Sequence, residues 1–419
     1  MRLERRTLTS SADAASLAAE LRLLVPSAAS VADDVVRIVL DVRHNGDAAL
    51  ERYRRELDAR GGDPGPVLVA PAEVSAAMAE VDADVRAALE LAVENVRAVA
   101  EAGLDEEREV TLAAGQRIVL REQPVARAAV YVPGGRASYP STVVMGVVTA
   151  LAAGVGEVVV CTPSTDPLVL AAGMLSGVDA IYRMGGAHAI AALAHGTETI
   201  PQVDVIVGPG NLYVQEAKLV VRGEVGIDGF AGPSDLLAIV DWAGGVELAA
   251  LDLRAQAEHG ADSLVVAVSP EPTVLDALAA QIEAAPEAGA AVLVQTEDLE
   301  EALRFSEAFA PEHLQLIGPG AEALAPRVTR AGCLFVGAGA ATAFGDYLAG
   351  SNHVLPTDGA ARYASGLSAR TFRRRMAEVR IPPEAAARLA PDGVALAQAE
   401  GFEAHAESMR ARIRENAGG

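Results

Sequence analysis

Apolar positions along this chain change their period twice. From Ser10 to about Leu104 they recur every three and four residues, as along Val81–Val99, with Ser10 and Ser11 as candidate caps and a break at His44-Asn45-Gly46. That is the period of helices burying one stripe. VTLAA and QRIVLRE, on either side of Gly115, alternate and read as a hairpin. From Ala126 the pattern becomes strand, glycine loop and helix, repeated. ARAAVYV, GEVVVC, DAIYRM and VDVIVG are continuous apolar runs of the kind a parallel sheet buries on both faces. A second series follows AGPSD, with LLAIVD, DSLVVAV, AVLVQ, HLQLIG and GCLFVG as strands and helices around Leu251, Leu278, Leu303 and Leu324. After Arg370 the chain returns to helix, started by Pro382-Pro383 and interrupted at Gly401. Two α/β units with helical ends are the expectation.

Composition narrows the function classes. A chain of 419 residues exceeds one ordinary core, and 51% hydrophobic residues argue for packed domains throughout. Against 57 acidic residues stand 34 basic ones, a net charge of -23, which disfavours nucleic acid or anionic membrane and suits a small metabolite. The charged N-terminal stretch lacks the apolar core of a signal peptide, and Val143–Val160 is broken by Gly146, Gly154, Gly156 and Glu157. A cytoplasmic protein with no membrane span is expected. Cys161 and Cys333 are far apart, which fits neither a disulfide framework nor a thiolate metal site. Lys218 is the single lysine, so Schiff-base chemistry has almost no candidate.

Candidate chemistry concentrates in a few segments. In AQAEHG, Gln256 and His259 are three apart and share a face if LAALDLRAQAEH is helical, although the spacing alone also suits a solvent-facing helix end. GDYLAGSNHVLPT adds Asp346 and His353, oxygen and nitrogen donors that zinc accepts. Glu312 and His313 in FAPEHLQL are adjacent proton acceptors, or an exposed pair where a strand begins. YVPGGRASYPS and VGPGN place glycines between strand and helix, where backbone N–H groups can meet an anion, though neither is GxGxxG and ordinary connections look the same. His44 in a turn and His195 at a helix end read as solvent-exposed, and the cysteines as small packing residues.

From about Ala126 to His405 these motifs together resemble the histidinol dehydrogenase family, whose members oxidise L-histidinol twice with NAD. The resemblance implies two incomplete Rossmann-like, doubly wound domains with small helical N- and C-terminal segments. It divides the chain into 1–26, a split first domain of 27–129 plus 234–368 with zinc and catalytic residues, a second domain of 130–233 on the NAD side, and 369–419. It maps the zinc ligands onto Gln256, His259, Asp346 and His405, with Glu400 and His405 keeping the spacing of the family's C-terminal pair. His313 is then the general base and Glu312 the residue that activates water. Substrate contacts come from Ser234, His353 and Glu400, and cofactor contacts from Tyr131, Asn211 and His188.

Two positions depart from the family pattern. Asp235 stands where glutamate is common, and His188 where GGAQAIAALAFGTE has glutamine, although an imidazole can still donate one hydrogen bond. The family further implies a homodimer in which Glu400 and His405 reach the partner's site. Competing readings are a paralogue acting on another small polar alcohol, a zinc hydrolase in which Glu312 activates water without nicotinamide, and a non-catalytic metal-binding protein.

Overall fold

The computed structural model describes residues 2–8, 13–25, 31–134, 138–164, 166–229, 232–283 and 289–414. Ser10 and Ser11, expected to cap a helix, lie outside that set, as do parts of the YVPGGRASYPS and AGPSD segments. The chain separates into two compact units, one of residues 1–103 with 125–372 and one of 104–124 with 373–419.

The larger unit contains two parallel sheets. One has five strands in the order 180–183, 157–162, 127–131, 205–207, 226–227. The other has six, in the order 2–7, 290–295, 264–269, 235–240, 313–317, 333–336. Every pairing in both is parallel. Each strand expected from an apolar run after Ala126 is present. LeuLeuAlaIleVal at 236–240 and ValValVal at 158–160 are buried throughout, as strands covered by helices on both faces must be. Helix Pro140–Ala152 is buried on all sides from Thr142 to Ala150, which explains its largely apolar sequence without a membrane. No helix among the described residues is long and apolar enough to cross a membrane.

The expected helical front is present as helices Ala14–Arg22, Ala32–Tyr53, Pro71–Glu80 and Ala83–Ala102. The break at Gly46 is real, with φ of +52° inside the second of these. Helix Ala32–Tyr53 packs Val35, Val39, Val42 and Leu50 into the core of the five-stranded sheet, a departure from its assignment to the other domain. Residues 1–26 are not helical throughout: Arg2–Thr7 is an edge strand on 290–295. Its charges interrupt any apolar period, and an edge strand buries too little to show one.

The smaller unit is an antiparallel sheet in the order 373–380, 117–124, 108–111, followed by helices Pro383–Ala399 and Glu403–Arg414. The hairpin around Gly115 is present. Helix was expected from Arg370 onward, but Arg373–Arg380 pairs with Arg117–Pro124. The cross-strand ion pairs Arg375–Glu122 at 2.6 Å and Arg121–Glu378 at 2.8 Å favour that pairing, which local helix propensity cannot register. Gly401 separates the two helices with φ of +82°. His405 is exposed with its ring 5.3 Å from that of Phe402, and Glu400 is exposed at the end of the preceding helix.

Candidate active site

Three strands of the six-stranded sheet begin at the site. Asp235 opens 235–240, His313 opens 313–317 and Cys333 opens 333–336, with His313 in register with Leu236 on one side and Cys333 on the other. Helix Val246–Ala257 delivers Gln256 in its last turn, and His259 follows two residues beyond its end.

Hydrogen bonds knit Ser234, Asp235, Gln256, Glu312 and His313 together. Glu312 Oε2 accepts from Ser234 Oγ at 2.5 Å and from the backbone N–H of Asp235 at 3.0 Å. The Gln256 amide donates to the same Ser234 Oγ. Asp235 Oδ1 accepts the N–H of Glu312 at 2.8 Å. His313 Nδ1 lies 3.2 Å from the carbonyl of Asp235, which can only accept, so Nδ1 carries the proton and Nε2 the lone pair of a neutral ring. The ring rests 5.9 Å from that of Phe335.

Burial sets the protonation of the pair. It pushes Glu312 up to about 7, opposed by the bonds from Ser234 and Asp235. It pushes His313 down, opposed chiefly by the charge of Asp346, so the imidazole is a free base at neutral pH. Burial also pushes His353 down, opposed chiefly by the charge of Asp346, and His259 acts on both Glu312 and His353. These five groups therefore share one electrostatic site.

Donor chemistry suits a metal in part. His259 Nδ1 is spent on the carbonyl of Gln256 at 3.0 Å, leaving Nε2 its lone pair. The amide nitrogen of Gln256 is spent on Ser234, leaving Oε1. Asp346, half-buried in helix Thr342–Tyr347, has a carboxylate that accepts no hydrogen bond among the described residues, although its backbone carbonyl accepts from His353. One nitrogen and two oxygens are a donor set zinc accepts. Among the described residues no three His, Cys, Asp or Glu side chains are grouped to hold an ion; the larger unit supplies two such residues and a glutamine, and His405 belongs to the smaller unit. His353, read at first as a further donor, has both nitrogens engaged. Nδ1 donates to Asp346 O at 3.0 Å, and Nε2 faces Thr142 Oγ1 at 3.3 Å.

The loops of the five-stranded sheet are organised differently. Tyr131 ends its strand buried, and its hydroxyl accepts the N–H of Gly186 at 3.1 Å. Asn211 caps helix Leu212–Val221 through the N–H of Val214 at 3.2 Å. Fully buried Lys218 donates to Gly208 O at 3.0 Å and pairs with Asp228, whose other oxygen accepts the Gly208 N–H at 2.7 Å. A side chain at Gly208 would run into the carbonyl of Tyr131, and φ there is +116°.

His188, expected on the cofactor side, is fully buried against Tyr53, with Nε2 3.1 Å from Asp58 Oδ2 and Nδ1 without a hydrogen-bond partner among the described residues. His195 is likewise largely buried and bonded to Glu224 at 3.1 Å rather than exposed. Cys161 is buried with its thiol on Met184 O at 3.2 Å, and burial holds its pKa well above the usual thiol range.

Asp58, Lys218 and Asp228 went unnoticed as loop organisers. A lone lysine inside the apolar helix LYVQEAKLVV was the available signal for the last two.

The histidinol dehydrogenase family profile matches residues 25–413. The chain is 45% identical to the histidinol dehydrogenase of Cereibacter sphaeroides over 395 residues, 90% of this chain and 91% of that one. The chain belongs to the histidinol dehydrogenase family. The histidinol dehydrogenase of Parasynechococcus marenigrum is 43% identical over 90% of both chains. The crystal structure of histidinol dehydrogenase from Elizabethkingia anophelis superposes with a TM-score of 0.90 at 29% identity, covering 99% of this chain and 98% of that one. Family membership makes the chain an oxidoreductase of alcohol and aldehyde groups, with the α/β fold described above.

Proposed function

We propose that this protein oxidises L-histidinol through L-histidinal to L-histidine, with NAD as hydride acceptor and one zinc ion per subunit. The observation that carries the reading is the buried His313 with Nδ1 committed to Asp235 O and Nε2 free, beside a carboxyl raised to about 7.

Zinc, held by Gln256, His259, Asp346 and a fourth ligand, His405, would fix the amine and imidazole nitrogens of the substrate. NAD, when bound, takes each hydride. His313 accepts the hydroxyl proton of the alcohol as the first hydride leaves the carbinol carbon. Glu312, ionised, takes a proton from the water that adds to the aldehyde, while protonated His313 returns its proton to the aldehyde oxygen, giving the hydrate and a free imidazole. His313 then accepts a hydroxyl proton of the hydrate as the second hydride leaves, giving the carboxylic acid.

Ser234, His353 and Glu400 would contact the substrate, with His353 giving up its Thr142 partner to do so. Tyr131 and Asn211 would lie on the cofactor side, while His188 acts from beneath through Asp58. The family resemblance supports a homodimer in which Glu400 and His405 complete the partner's site, a cytoplasmic location, and a division of labour between the two sheets. Absorbance of NADH with L-histidinol, and with other amino alcohols as controls, tests this. Two NADH per histidinol consumed is the expected result. A faster control substrate, or no NADH from histidinol, would replace the reading.

A further inference from the structure

The Glu312–His313 pair leans on a residue far from it in sequence. Arg22 ends helix Ala14–Arg22, and its guanidinium is only 17% exposed. One nitrogen, Nη2, donates to the carbonyl of Phe309 and, at 3.5 Å, to that of Ala310. These are the terminal carbonyls of helix Leu299–Phe309, which ends with Ala310 in the left-handed region at φ of +49°. A helix C-terminus that leaves its carbonyls unbonded attracts a cation. The guanidinium carbon also lies 4.2 Å from the centroid of the Phe309 ring. The other nitrogen, Nη1, reaches Asp235 Oδ2 at 3.4 Å and Asp358 at 3.5 Å.

Asp235 in turn meets both catalytic residues. Its Oδ1 holds the Glu312 N–H, its own N–H holds the Glu312 carboxylate, and its carbonyl fixes the His313 tautomer. Alanine resists a left-handed conformation, so the turn from Ala310 to His313 needs outside support. Arg22 grips it at two carbonyls and at the carboxylate facing it.

We infer that Arg22 is a positioning residue for the reaction proposed above, setting the turn Ala310–His313 and Asp235 so that His313 Nε2 and the Glu312 carboxylate face the substrate. Arg22 itself touches no reacting atom. A guanidinium fork serves the two carbonyls from one nitrogen and the carboxylate from another, whereas the three donors of an ammonium group radiate from a single nitrogen.

Zinc-loaded wild type, Arg22→Ala and Arg22→Lys are compared for kcat, KM, zinc content and thermal unfolding. Arg22→Ala should lose roughly thirtyfold in kcat, and Arg22→Lys roughly tenfold, since sub-ångström errors in a catalytic group cost this much. KM for both substrates and zinc content should stay within about twofold. Guanidinium ion at about 50 mM should restore several-fold activity to Arg22→Ala and none to Arg22→Lys, with urea as an inert control. If Arg22→Ala does not fold, Arg22→Lys decides. Either folded variant turning over like wild type, or a loss that tracks missing zinc and ignores guanidinium, overturns the inference. A wild type that leaves histidinol untouched sinks the functional reading instead.

Discussion

The two parallel sheets present opposite ends to their loops of interest. In the five-stranded sheet Tyr131, Gly186 and Asn211 follow the carboxyl ends of strands, where helices begin and backbone N–H groups point outward. That is the usual ligand side of an open α/β sheet and the side that favours anions. In the six-stranded sheet Asp235, His313 and Cys333 stand at the amino ends, where helices Val246–Ala257 and Leu299–Phe309 finish and carbonyls point outward. Such an end favours cations. His259, just past the end of the first of these helices, sets its ring on the carbonyl of Gln256, and Arg22, from helix Ala14–Arg22, sets its guanidinium on the last carbonyls of the second. In the function proposed above, the same layer architecture would give a pyrophosphate-bearing cofactor one end of one sheet and a metal ion with its proton acceptors the opposite end of the other.

The largest expected effect falls on the amino-end site. His313→Asn should lower kcat on histidinol and on histidinal alike by roughly a thousandfold, because both oxidations begin with proton removal. Steady-state rates on the two substrates check this, and a loss confined to one would move the base elsewhere. The carboxyl-end site should respond in stability first. Lys218→Met leaves Asp228 buried without its cation, at about 3 kcal/mol or more by urea unfolding, and should raise KM for NAD through the Gly208 turn. An unchanged midpoint would mean that the pin is dispensable.

A smaller and more selective effect is expected from Glu312. Glu312→Gln should cost on the order of a hundredfold on histidinal and much less on histidinol. Burial raises the Glu312 carboxyl to about 7, so its ionised fraction grows as pH rises through that value. Wild-type histidinal oxidation should therefore climb between pH 6 and 8 by about the factor that the ionised fraction gains, and the variant should lack that limb. A variant that kept the same climb would assign the titration to another group.

Legibility in the sequence followed burial and distance along the chain. Strands buried on both faces announced themselves as apolar runs, and Glu312 and His313 needed only adjacency to be noticed. Arg2–Thr7 and Arg373–Arg380 did not, because edge strands rich in arginine draw their stability from pairing partners elsewhere. The contacts that tune the site were equally silent. Arg22 meets Asp235 across 213 residues, and His188 meets Asp58 across 130, so no local pattern marks either pair. His353 was legible as a histidine near Asp346, but its commitment to Thr142 depends on helix Pro140–Ala152 lying against that loop.

The opposed character of the two ends is tested most directly by measuring zinc and NADH binding separately on His259→Asn and Asn211→Ala, by metal analysis after dialysis and by fluorescence titration. The account predicts that His259→Asn loses zinc and keeps NADH affinity within about threefold, while Asn211→Ala keeps zinc and binds NADH roughly tenfold more weakly, about the worth of one well-placed hydrogen bond. Loss of both ligands by either variant, or zinc retained at full stoichiometry by His259→Asn, would contradict it.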